Sequence, residues 1–256
     1  MQKVSKELYL KRKAEEAQAP QEKMRDLCLK CFRPKANCFC KFLSPFDPGM
    51  KVVLLMHPME LKRERVGTGR LCHLTLIDSE IIMGVNFTED KRVNELITDE
   101  RYFPVLLYPG DKAMNLSKGE FTADKFSEKK LLLLVIDGTW PCAKKMMRES
   151  VNLHHLPRLS FETTRTSEFA VKQQPGEFCL STLEALHELF CIWEKQGFAT
   201  YEGKHDGLMA VFRELVKFQI ACAEDPNKQS YRKKKGFSSV KERKPSKKWE
   251  TRKIFF

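Results

Sequence analysis

The 256-residue sequence contains no apolar stretch long enough to cross a bilayer. Its most apolar run, Leu131–Ile136, is only strand-long, whereas a spanning helix needs about 20 such residues. The opening segment MQKVSKELYLKRKAEEAQAP lacks the apolar centre of a secretory signal, so a cytoplasmic location and no membrane partner are expected. No G-x-G-x-x-G opens a helix and no G-x-x-x-x-G-K-[ST] occurs, so ordinary dinucleotide and nucleotide-triphosphate loops are not indicated. H-E-x-x-H and G-x-S-x-G are missing too, which removes two common hydrolase signatures.

Positive charge, by contrast, is plentiful and unevenly placed. Residues 227–256 hold twelve Lys and Arg against two Glu, so this tail carries +10 of the net +12. Such an arm suits a phosphate backbone or an anionic membrane surface. Tyr231, Phe237, Trp249, Phe255 and Phe256 interleave with the cations and can stack on bases, which favours nucleic acid. Residues 1–26 read as an exposed helical extension, and 226–256 as a flexible basic tail.

Cysteine is not scarce either. Four of the nine cysteines, Cys28, Cys31, Cys38 and Cys40, fall in a C-x2-C-x6-C-x-C cluster. In a reducing compartment clustered thiols point to metal rather than disulfides. Four thiolates suit a closed, structural Zn²⁺ site, with an iron–sulfur cluster as the alternative. A module over 27–48 clamped by that metal would precede a catalytic-size body over 49–225.

The body alternates strands and helices. Lys51–His57, Leu74–Asp78, Phe103–Tyr108, Leu131–Asp137 and Leu156–Phe161 read as strands. A helix capped by Thr88 is expected before Asp99, and residues 111–130 read as a loop with a short helix. Ser181 with Glu184 forms a capping box that starts a helix running to about Lys195. A last helix spans roughly Asp206–Ala223. This order gives an α/β class with a mostly parallel sheet.

The central stretch is Leu131–Asp137-Gly-Thr-Trp140-Pro. An unbroken apolar run suits a strand covered on both faces. Gly138 permits the turn, Thr139 can cap a helix, and Pro141 fits its first turn. Asp137 then lies at the carboxyl end of a central strand, where open α/β sheets bind ligands. A polar loop, His57-Pro-Met-Glu60-Leu-Lys-Arg63-Glu-Arg65-Val-Gly67-Thr68-Gly69-Arg70, gathers cations whose forks suit phosphate or carboxylate.

Asp137-Gly-Thr-Trp140 resembles the signature of the DTW-domain family, the tRNA-uridine aminocarboxypropyltransferases. The resemblance runs from Cys28 to about His187. It includes Arg33-Pro34, Met56–Glu60, Thr68–Leu71, Leu107-Tyr108-Pro109, Pro157-Arg158 and Leu180–Ala185. Gly67 stands where the family usually has Asn, and Phe169–Pro175 lacks the family's usual Tyr and Arg. The resemblance implies a SPOUT-like domain with a C-terminal trefoil knot, S-adenosylmethionine as cofactor, and transfer of its 3-amino-3-carboxypropyl group to N3 of a tRNA uridine. It further implies roles for residues. Asp137, Thr139 and Trp140 are the catalytic candidates. Leu107, Tyr108, Pro109, Gly110, Asp137, Gly138, Leu180, Ser181, Thr182 and Glu184 are candidates for cradling the cofactor. His57, Glu60, Arg63, Thr68, Arg70, Arg158 and Arg165 are candidates for the RNA side. Two other readings share these features: an RNA methyltransferase of similar fold, and a zinc-containing RNA-binding protein without catalysis. The oligomeric state is left open.

Overall fold

In the computed structural model, residues 26–63, 67–122, 124, 126, 128–169 and 179–225 are described. Their apolar runs form strands β1 (Lys51–Met56), β2 (Ser79–Met83), β3 (Tyr102–Leu107), β4 (Ala113–Asn115), β5 (Lys130–Asp137) and β6 (Arg158–Ser160). The helices are α1 (Pro58–Arg63), α2 (Thr68–Thr75), α3 (Lys91–Thr98), α4 (Trp140–Glu149), α5 (Thr182–Lys195) and α6 (Gly207–Glu224). The strands make one sheet in the order β2-β1-β5-β3-β6-β4, with every pairing parallel. Among the described residues no helix is long and apolar enough to cross a membrane.

β5 explains the layers. Leu131, Leu133 and Val135 point into a cluster with Leu71 and Cys72 of α2, Leu186 and Phe190 of α5, and Val211 and Phe212 of α6. Leu132 and Leu134 point the other way, onto Val93 and Leu96 of α3 and Met146 and Met147 of α4. Helices on both faces leave this strand no solvent side, so its sequence does not alternate. The register sets Met56 of β1 beside Asp137 on one side and Met83 of β2 on the other. Strand ends β1, β5, β3 and β6 therefore deliver their loops to one edge of the sheet.

Three local expectations are corrected. Leu74–Asp78 is not a strand: α2 continues to Thr75, whose hydroxyl donates to the Leu71 carbonyl at 2.9 Å. Leu71, Cys72 and Thr75 are buried at helical spacing, and the strand begins later, at Ser79. Thr88 does not cap α3. Asp90 does, accepting from the Val93 N–H at 2.9 Å, while Thr88 bonds Glu149 and Val151. Residues 111–130 hold the short edge strand β4 as well as the 3₁₀ turn Leu116–Lys118. Of the expected N-terminal helix only Asp26 is described, and the basic tail 226–256, Arg65 and residues 170–175 lie outside the described residues.

Candidate functional site

The carboxyl edge of the sheet is organised by the Asp137 side chain. Asp137 is 4% exposed. Its Oδ1 accepts the Thr182 hydroxyl at 2.6 Å, a length characteristic of O–H···carboxylate bonds. Its backbone carbonyl accepts the His57 N–H at 2.9 Å. Its Oδ2 faces Gly69 in the first turn of α2, where a Cβ would stand 2.2 Å away. Only glycine fits there, and the positive end of α2 is thereby brought onto the carboxylate. Burial pushes the Cys72 thiol well up, and the neighbouring Asp137 charge adds to the effect. One carboxylate thus ties together β5, α2 and α5.

Beside this latch lies a cavity of about 430 Å³, within the size range of small-molecule sites. Its walls are residues 107–109 at the end of β3, Val135 and Ile136 of β5, Gly138, Trp140 and Ala143 at the start of α4, 159–163 at the end of β6, and Leu180, Thr182 and Ala185 at the start of α5. The lining is mostly apolar and aromatic. The Tyr108 and Trp140 rings are 6.5 Å apart and inclined by 60°. Burial raises the Tyr108 phenol above its ordinary value, so at neutral pH it is a donor rather than an anion. Glu162, the carboxylate of the wall, is held below its ordinary range by the Lys118 ammonium at 2.6 Å.

The cavity gathers many of the sequence candidates. Leu107, Tyr108, Pro109, Gly138, Trp140, Leu180 and Thr182 line it, and Asp137 stands directly behind Thr182. Ser181 and Glu184 build the wall without lining it. The Glu184 carboxylate accepts the Ser181 N–H at 2.8 Å, and the Ser181 hydroxyl oxygen accepts the Glu184 N–H, closing the capping box. The same carboxylate accepts the Ser167 hydroxyl at 2.8 Å and the Glu168 N–H at 2.7 Å. It therefore fastens the loop after β6 to the start of α5. Thr139 occupies the N-cap position of α4 without a side-chain capping bond. Arg158 lies beside Tyr108, its guanidinium 5.9 Å from the ring centre, and beside Gly110.

Other candidates do not line this cavity. The Nδ1 of His57 accepts the Met59 N–H at 3.2 Å at the start of α1, the helix that carries Glu60 and Arg63. Thr68 opens α2, and the Arg70 guanidinium turns to the Phe32 ring of the cysteine module, 4.7 Å from its centre. Arg165 pairs with Glu188 at 3.3 Å. The wall residues Phe161, Glu162, Thr163 and Ala185 were not anticipated, although the short apolar run before Phe161 had marked that strand end. Gly69, whose turn can let the backbone approach a ligand, is not among the sequence candidates, because its contact is with a distant carboxylate, Asp137.

The four thiols of Cys28, Cys31, Cys38 and Cys40 converge, all within 4.8 Å of one another. Cys28 and Cys40 are 3.7 Å apart, and Cys31 and Cys38 are 3.6 Å apart. A tetrahedron with metal–sulfur bonds of about 2.3 Å has edges of roughly 3.8 Å, so the donor set and spacing fit one metal ion. Backbone N–H groups of Cys31 and Lys30 draw the Cys28 thiol down to about 6, while burial and the neighbouring thiols push that of Cys40 up. Arg33 anchors this module: buried, its guanidinium sits 3.6 Å from the Phe39 ring centre and 4.1 Å from that of Phe218 on α6. His187, Cys191 and His205 form a second group of close donors. There the Cys191 sulfur is 3.8 Å from both ring nitrogens of His187, so it is aligned with neither lone pair. His187 instead bonds Asp206 at 2.8 Å.

Three relatives share much of this chain. A Drosophila melanogaster protein named tRNA-uridine aminocarboxypropyltransferase 2 is 31% identical over 178 residues, covering 67% of this chain and 68% of its own. The Mus musculus protein of that name is 30% identical, over 75% of this chain and 63% of its own. The Arabidopsis thaliana tRNA-uridine aminocarboxypropyltransferase A is 25% identical, over 76% of this chain and 81% of its own. No solved structure matches. The DTW domain model matches residues 25–220, from the cysteine module through the Asp137 turn and the capped start of α5 into α6. With the cavity, the latch and the thiol cluster all inside that match, the chain belongs to the DTW domain family.

Proposed function

We propose that this protein transfers the 3-amino-3-carboxypropyl group of S-adenosylmethionine to N3 of a uridine in tRNA, releasing methylthioadenosine. The observation that carries the reading is the Asp137–Thr182 latch behind a nucleoside-sized cavity in a chain whose relatives bear that enzyme's name. The residues fit the donor. Tyr108 and Trp140 offer aromatic walls, and the Glu162, Thr163 and Thr182 side chains offer polar groups beside an apolar floor. When bound, the sulfonium supplies an electrophilic carbon and a neutral thioether leaving group.

The chain's own part is proton and position. Uridine N3–H must lose its proton as N3 forms the new bond to carbon. The Thr182 oxygen accepts that proton while its own passes to Asp137 Oδ1, along the 2.6 Å hydrogen bond. General-base help of this kind is typically worth ~10²–10⁴-fold. Trp140 packs against the base or shields the cavity from water, and Thr139 holds the turn. A SPOUT-like C-terminal knot belongs to the same reading, as do structural zinc on the four cysteines and a cytoplasmic location. The connection that would tie the knot, between β6 and α5, includes 170–178, which lie outside the described residues.

Mass spectrometry of tRNA nucleosides after incubation with S-adenosylmethionine tests the reaction. Aminocarboxypropyluridine with methylthioadenosine is expected, whereas S-adenosylhomocysteine would mark a methyltransferase and refute the proposal. The basic tail is proposed as an arm on tRNA. Truncation after Asp225 is expected to weaken tRNA binding and flatten its salt dependence, and an unchanged salt slope would remove the arm from the reading.

A further inference from the structure

The cysteine module does more than stand beside the body. It meets α2 and β2 in a second cavity, about 300 Å³, lined by Lys30 and Phe32 of the module, Arg70 and His73 of α2, and Ile81 and Met83 of β2. Among the described residues no carboxylate lines it. Two cations, Lys30 and Arg70, make it complementary to an anion, although Glu80 is close enough to act on the His73 imidazole.

Phe32 is the unusual residue. It follows Cys31 in the knuckle turn, with its N–H on the Cys28 carbonyl at 2.7 Å. Its φ is +57°, in the left-handed region. That conformation is costly for a bulky residue and costs glycine nothing. The ring does not repay the strain by burial, since Phe32 is 47% exposed, with Leu29 at 88% and Met83 at 54% nearby in chain or cavity. Strain that packing does not explain is a pointer to use. Arg70 steadies the ring by cation–π contact at 4.7 Å and leaves much of it open.

The cleft is close to the latch. Arg70 directly follows Gly69, which touches Asp137. Met83 and Asp137 are both in register with Met56, so they stand two strand spacings apart, about 10 Å. The uridine site and the cleft therefore lie within the span of one RNA strand.

We infer that this cleft binds a second, unpaired nucleotide of the RNA substrate, with its base stacked on Phe32 and its phosphate held by Lys30 and Arg70. The inference rests on the tRNA reading proposed above. Stacking on an aromatic ring is indifferent to base identity, so the cleft grips the strand without specifying its sequence. The modified uridine, in contrast, is selected at the Asp137 cavity.

The test is equilibrium binding of tRNA to the metal-loaded, full-length chain across a range of salt. Phe32→Leu keeps bulk and apolarity but removes the π-face, and Phe32→Gly removes the ring and relieves the strain. Both are expected to weaken tRNA binding by about 5- to 150-fold, the usual effect of losing one base stack. S-adenosylmethionine affinity is expected to stay unchanged, and Phe32→Gly to melt no lower than wild type. Phe32→Tyr is expected to retain binding. Arg70→Gln is expected to reduce the slope of log K against log salt by about 0.7–0.9, one phosphate contact. A Phe32→Leu protein that binds tRNA as tightly as Phe32→Tyr overturns the inference. Wild-type turnover on tRNA, run in parallel, keeps the two claims apart: absence of product refutes the proposed function, whereas product with unaffected Phe32→Leu binding refutes only the cleft.

Discussion

Gly69→Ala is the sharpest perturbation of the latch. A Cβ at this position would lie 2.2 Å from Asp137 Oδ2, 2.7 Å from its Cγ and 3.1 Å from the Met56 Cε. Ordinary contacts need about 3.5 Å, so the carboxylate must retreat by roughly 1 Å or α2 must lift. Neither is easy, because Asp137 is buried and bound to Thr182 while Leu71 and Cys72 pin α2 to the core. Overpacking of this kind costs about 1–3 kcal/mol. Weakening a hydrogen bond to a charged group costs up to another ~1.5–3 kcal/mol. Replacing a helical glycine by alanine returns only about 0.5–1 kcal/mol. The net expectation is a loss of about 1–4 kcal/mol, read as a fall in melting temperature of roughly 2–4 °C per kcal/mol for a body of this size. Turnover is expected to fall with it. A double-mutant cycle with Asp137→Ala isolates the clash: removing the carboxylate makes room for the new methyl, so the two losses should not add. Additive losses, or a Gly69→Ala protein with wild-type melting and wild-type activity, would refute the close approach of α2 to Asp137.

Thr182→Val breaks the proton path while keeping shape; turnover is expected to drop by about 10²–10⁴-fold, and near wild-type turnover in single-turnover assays would exclude the relay. Thr182→Ser should restore most of it. Cys31→Ser, which removes one of four convergent thiols, is expected to lower bound metal and expose the module to protease; unchanged metal content by elemental analysis would contradict the cluster. Glu80 receives both Arg92 Nε at 2.8 Å and Nη2 at 2.9 Å, and this pairing holds its carboxyl below the ordinary range. A depressed folded pKa stabilises above the unfolded value, about 4.3, and that benefit is lost as pH falls through the folded pKa. Because the pair is partly exposed, Glu80→Gln should cost no more than ~1 kcal/mol at pH 7, and urea titrations should show the gap from wild type closing in acid. A gap that persists unchanged in strong acid would assign the loss to something other than the charge.

How much was legible follows from the range of each interaction. The run Leu131–Ile136 declares its own burial, and Ser181 with Glu184 declares a helix start, because both signals are local. Asp137 could be placed at a strand end by the same logic. The strand expected at Leu74–Asp78 failed because Leu74 and Leu76 alternate like a strand while Leu71, Cys72 and Thr75 follow a helical period. β4 is three residues at the sheet's edge, too short for any period to show. The cavity itself was only partly legible. Tyr108 and Thr182 carried motif signals, but Glu162 and Thr163 join the wall through a loop that Glu184 holds in place, and no spacing encodes that hold. Arg70 sits beside the right helix turn yet faces Phe32, a direction that sequence position does not give.

The first turn of α5 has a consequence for how the site can change. Within four residues, Ser181 to Glu184, it contributes the hydroxyl that grips Asp137, the carboxylate that grips the 167–168 loop, and part of the cavity wall. These three tasks share one rigid piece of backbone, so they cannot drift independently. A substitution that reshapes the cavity wall here is felt at the Asp137–Thr182 hydrogen bond, and one that loosens the loop is felt at both. Changes at this one turn are therefore expected to alter wall, loop and carboxylate together.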